Sequence, residues 1–180
     1  MHDYSIELSG DSVTVSGPDG FLISDPTQGF IEFLYASNEE IDTILDLEKD
    51  KVDILYDNAA SFQFLPFLIW GIYNIDNAAG LTNKKEEILK DLKQQQAYFY
   101  EKARIYLDEN PPISEYKSLT PRERYVQNND IGISARCNLS LDRFTLEPVE
   151  KYFPEKLEEV FYILFIRMVI RNSTIKRCGY

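Results

Sequence analysis

Residues 83–110 read "NKKEEILKDLKQQQAYFYEKARIYLDEN". Ile88, Leu92, Phe99, Ala103, Tyr106 and Leu107 recur close to the helical period, and the residues between them are largely charged or polar. The spacing predicts one long amphipathic helix over Asn83–Asn110, with an apolar stripe that needs a core to cover it. Pro111 and Pro112 close it, because the residue before a proline is driven out of the helical region.

Working outward toward the N-terminus, "YSIELSG" and "DSVTVSG" alternate apolar and polar residues, as half-buried strands do. Ser9–Asp11 suits the tight turn of a hairpin, and "PDG" at 18–20 is a second turn before "FLIS", a third strand. Asp25 and Pro26 then read as N-cap and first residue of a helix presenting Phe30, Phe33 and Leu34 on one face. "NEEIDTILDLEKD" predicts a further helix with Ile41, Ile44 and Leu45 inward, and Phe62 to Tyr73 a central buried helix bent at Pro66.

Toward the C-terminus, "TPRE" at 120–123 is a capping box opening a short helix to about Gln127. "ISARCNLSLDRFTLEP" holds one or two short strands, with Cys137 as a small buried hydrophobe. Pro148 and Pro154 precede a long apolar helix ending near Arg171. The expected fold is α+β, mostly helical with a small N-terminal antiparallel β element. Residues 1–180 form a single domain, with a β-hairpin region at 1–24 and a helical core at 25–180.

The 180 residues suffice for one domain with a real core, and 12 Tyr and 11 Phe supply it. The apolar runs Ala59–Ile75 and Val160–Ile170 are short or interrupted by polar residues. A spanning helix needs about 20 apolar residues, so both read as core helices and no membrane is expected. No secretory leader is read, and Cys137 and Cys178 cannot make a disulfide framework, which points to reduced thiols in the cytoplasm. His2 is the only histidine, which removes histidine-based triads and metal clusters. Glycine-rich phosphate loops and nucleophile elbows are also missing from the sequence.

Charge is unevenly placed. Residues 1–60 carry 14 acids against two lysines, a net of −12, whereas residues 61–180 come to +1. Glu39, Glu40, Asp42, Asp46, Asp50 and Asp53 form the candidate interaction surface, able to dock on a basic partner or to serve only solubility. Glu39, Glu40 and Asp42, or Glu158 and Glu159, are the candidates for a carboxylate metal site, against the plainer reading of a solvated helix face. Arg122 and Arg124 are candidates for an anion contact, against an exposed first turn paired with Glu123.

The segment 141–180 ends with an apolar helix, "LEEVFYILFIRMVI", followed by "RNSTIKRCGY". It resembles a bacterial family of domains of unknown function in which such a helix leads into a Cys-x-x-Cys zinc knuckle. The alignment covers Ile175, Lys176, Arg177 and Cys178; every later ligand is absent. The resemblance implies that this chain is the N-terminal module of a longer protein, with Cys178 a zinc ligand only if the chain continues beyond Tyr180. No cofactor is expected within residues 1–180. The reading is a non-enzymatic interaction module with a protein partner, nucleic acid being reached only through the missing knuckle. The alternatives are an acidic inhibitor occupying a basic nucleic-acid-binding surface, and a carboxylate-dependent metal enzyme.

Overall fold

The computed structural model describes residues 5–10, 12–16, 22–24, 26–43, 78–128 and 136–176. The expected central helix at 62–73, the turn at 18–20, Asp25, Ile44 and Leu45 lie outside the described residues. So does the expected knuckle start, from Arg177 through Cys178 to Tyr180.

Strands β1 (Ser5–Ser9) and β2 (Ser12–Ser16) form the expected hairpin. Ser9 stands opposite Ser12, so the turn between them is two residues long, and Gly10 takes a φ of 48° that side chains resist. Strand β3 (Leu22–Ser24) pairs with β2. The sheet does not end there. Strands β4 (Arg136–Leu141) and β5 (Pro148–Phe153) return from far along the chain, and β5 lies antiparallel to β1, giving the order β3-β2-β1-β5-β4. The β structure therefore draws on both ends of the sequence, and the expected boundary at residue 24 does not divide the sheet.

Helices α1 (Thr27–Tyr35), α2 (Asn38–Thr43), α3 (Ala78–Tyr106), α4 (Pro121–Gln127) and α5 (Leu157–Ile170) complete the α+β fold. Helix α3 buries the stripe its sequence predicts: Ile88, Leu92, Phe99, Ala103, Tyr106 and Leu107. It starts five residues earlier than the periodicity suggests and stops at Tyr106 rather than Asn110. The early stop has a tertiary cause. The Ile175 backbone N–H donates to the Leu107 carbonyl at 2.8 Å, and that of Glu109 to the Ile175 carbonyl at 3.2 Å, so the segment after α5 pairs with this stretch. Ile175 is itself buried, which gives the segment beyond the apolar helix a place in the core.

The core is aromatic where α1, α3 and α5 meet. Phe161 stacks on Phe33 with centroids 4.8 Å apart and on Phe30 at 5.6 Å, and Phe99 meets it edge-on at 5.9 Å. Ile6, Leu8, Val13 and Val15 of the sheet join this core. Polar groups secure the helix ends. Gln96 Nε2 donates to the Phe33 and Ala36 carbonyls at 2.9 and 2.7 Å, tying α3 to the end of α1, where the Phe33 carbonyl also accepts the Ala36 N–H. Thr120 and Glu123 form the expected capping box on α4. Helix α5 ends in a Schellman turn with Asn172 left-handed (φ 54°), its N–H bonded to the Val169 carbonyl and that of Ser173 to Met168. Arg167 and Arg171 at the end of α5 both donate to the Gly10 carbonyl, tying the β1–β2 turn to the last helix.

Candidate interaction surface

The acidic candidates of α2 are exposed, but two of the three have work within the chain. The Glu40 carboxylate accepts the Ser37 backbone N–H at 2.7 Å while Ser37 Oγ accepts that of Glu40, a capping box that holds Glu40 below the usual carboxylate range. Asp42 pairs with Lys93 Nζ at 2.6 Å. Glu39 is exposed beside them, and Asp46, Asp50 and Asp53 lie outside the described residues. The Glu159 carboxylate accepts the backbone N–H of Glu155 at 2.6 Å and of Lys156 at 3.3 Å, so it closes the start of α5. Among the described residues, no three His, Cys, Asp or Glu side chains stand close enough together to hold a metal ion.

Arg122 and Arg124 are not brought together as an anion grip. Arg122 is exposed, and its backbone N–H donates to Asn172 Oδ1. Arg124 is buried: Nε donates to the Tyr116 carbonyl at 2.9 Å, and Nη1 to those of Tyr106 and Asp108 at 3.0 and 2.8 Å. Burial lowers its pKa, with Asp108 opposing that shift, and its chemistry here is to join three backbone segments. Lys176 is exposed and 3.9 Å from Glu109. Arg177 and the expected zinc ligand Cys178 lie outside the described residues. Among the described residues, no helix is long and apolar enough to cross a membrane.

A surface not anticipated from the sequence lies at the β4 edge. Residues opposite each other in an antiparallel pair share a face. The registers therefore make one row of Val13, Leu8, Glu150 and Leu139, and another of Val15, Ile6, Tyr152 and Cys137. Along each row burial falls away. Val13, Val15, Ile6 and Leu8 are buried, Glu150 and Tyr152 half-buried, and Cys137 and Leu139 exposed. The helical layer covers the β1–β2 part of this face and ends before β4. Cys137 is thus exposed rather than buried as expected, a correction that follows from its place at the sheet margin. Burial, and then the Glu150 carboxylate accepting its hydroxyl at 2.8 Å, hold the Tyr152 phenol well above its ordinary pKa.

The exposed apolar residues continue around the β4–β5 turn. Leu139 is 73% exposed, Leu141 61%, Phe144 95% and Leu146 71%. These are half of the eight large exposed hydrophobics among the described residues, gathered within eight positions, so they form a patch rather than scatter. The turn is built, not loose. Asp142 Oδ1 accepts the backbone N–H groups of Phe144 and Thr145, both at 2.8 Å, and the Leu146 N–H donates to the Asp142 carbonyl. Leu146 is held left-handed with φ 58°, a conformation costly for a leucine. Strand β4 is exposed on both faces from Cys137 to Leu141 and, among the described residues, borders only β5. Natural edges are blunted by lysine, proline or bulges, and residues 137–141 contain no proline or lysine. The signal was present in "NLSLDRFTLEP": alternating leucines running into a turn with apolar residues where polar ones are usual.

Compared with protein-family models, curated proteins and solved structures, the chain matches none.

Proposed function

We propose that this chain is a non-enzymatic interaction module that engages protein through the β4–β5 hairpin. The observation that carries the reading is the patch of Leu139, Leu141, Phe144 and Leu146, held out on an ordered edge hairpin beyond the helical cover. Apolar side chains left in water at this density favour association, because covering them recovers about 25 cal/mol per Å². The outer edge of β4, which among the described residues pairs with no further strand, adds backbone donors and acceptors for one. The acidic α2 surface draws less support, since Glu40 and Asp42 are engaged within the chain.

A photo-crosslinking residue at Phe144, expressed in the native host, tests this reading. A discrete adduct that disappears on adding Leu139→Ser and Leu141→Ser is expected, with none from the same probe at Val126, an isolated exposed residue on α4. Equal labelling from both positions, or none from Phe144, would overturn it.

A further inference from the structure

We infer that the occupant of the β4 edge is a second copy of this chain, paired antiparallel with Leu139 at the two-fold axis. This inference rests on the hairpin being an interaction surface and goes further by naming the partner. In an antiparallel self-pairing centred on Leu139, Leu139 stands opposite its own copy, Cys137 opposite Leu141, Asn138 opposite Ser140 and Arg136 opposite Asp142. Apolar meets apolar, amide meets hydroxyl, and a basic and an acidic residue share the paired positions at both ends. Sliding by two residues in either direction removes the opposition of Arg136 and Asp142. Sliding by one sets Leu139 opposite a polar residue and turns the two helical layers to opposite sides of the sheet.

A two-fold axis perpendicular to the sheet keeps Cys137, Leu139 and Leu141 of both copies on the same face, the one that the helices cover at β1 and β2. Two five-stranded sheets then merge into one, and the uncovered margin of each becomes the floor of a strip between two helical layers. Both partners present the same patch, as an isologous interface requires. A strand pair with a few leucines is small beside the roughly 800 Å² per partner of a standard interface, so the dimer is reversible and concentration-dependent.

Sedimentation velocity on the full chain, from micromolar to near-millimolar concentration, reads the equilibrium. The wild type is expected to shift from monomer to dimer. Leu139→Arg, which opposes two like charges at the axis, should weaken the dimer at least about tenfold, while Val126→Arg leaves it unchanged. Leu139 is largely exposed, so the variant should fold; its circular dichroism checks this. Register is read by mild oxidation in a Cys137→Ser/Cys178→Ser background, where Leu139→Cys should form a disulfide-linked dimer and Asn138→Cys should not. A monomer at every concentration overturns self-pairing. So does a dimer indifferent to Leu139→Arg, or one crosslinked through position 138 instead of 139. A monomer that still gives a Leu139-dependent adduct from Phe144 in cells refutes the second copy alone and leaves the interaction surface standing.

Discussion

Leu8 and Leu139 lie in one row across the sheet, joined through Glu150, yet Leu8 is 7% exposed and Leu139 73%. The two leucines share a sheet face and differ in whether the helical layer reaches them. That difference separates what the fold uses for its own stability from what it leaves available to a partner.

Arg124 belongs to the first group. Replacing it with methionine keeps much of the stem but removes the guanidinium hydrogen bonds to the carbonyls of Tyr106, Asp108 and Tyr116, of which Tyr116 keeps the Leu119 N–H. A loss of about 3 kcal/mol is expected, since a hydrogen bond to a charged group contributes about 1.5–3 kcal/mol and bonds to one guanidinium do not simply add. Urea unfolding measures it. Arg124→Lys should recover little, because one ammonium cannot reproduce the forked guanidinium.

Gln96 makes a smaller contribution. Gln96→Leu removes both donors to the end of α1, and a loss of about 1–2 kcal/mol is expected in the same assay. Hydrogen exchange should localise the change to faster exchange in α1.

Leu146 should behave in the opposite sense. Glycine accepts a φ of 58° without the steric penalty that leucine bears. Leu146→Gly is therefore expected to raise the unfolding free energy by up to about 1 kcal/mol, while removing one apolar side chain from the patch. Destabilisation would show that the turn depends on the side chain.

Acid should loosen three local structures together. Ser37 holds the Glu40 carboxyl below its ordinary 4.5, Thr120 does the same for Glu123, and the Thr145 and Phe144 N–H groups hold Asp142 below 3.8. A depressed carboxyl stabilises the fold fully above its unfolded value and loses that contribution as pH falls through the folded value. Stability should therefore be flat above these ordinary values and decline below them. Carbon-detected titration of the three carboxyls should show midpoints below the ordinary values; ordinary midpoints would contradict the caps.

Local signals carried much of the fold. The stripe on α3, the turn at Gly10 and the capping box at Thr120 each depend on residues near one another, and each is found where the sequence places it. The pairing of β5 with β1 is different. "PVEKYF" begins with a proline and carries two charges, and its partner lies about 140 residues away, so nothing local marks it as an inner strand. Arg124 reads as a surface charge because its partners are backbone carbonyls 8 to 18 residues upstream, which side-chain pattern does not mark. The alternation of Leu139 and Leu141 correctly suggests a strand, but only the extent of the helical layer decides that its apolar side meets water.

The most direct measurement is the unfolding free energy of the Leu139→Ser/Leu141→Ser double variant, taken by urea denaturation at high dilution. If these leucines serve a partner and not the fold, stability should match the wild type within about 0.5 kcal/mol. A loss of about 2 kcal/mol or more for each leucine, the range for truncating buried ones, would place them in the core and contradict the interaction surface.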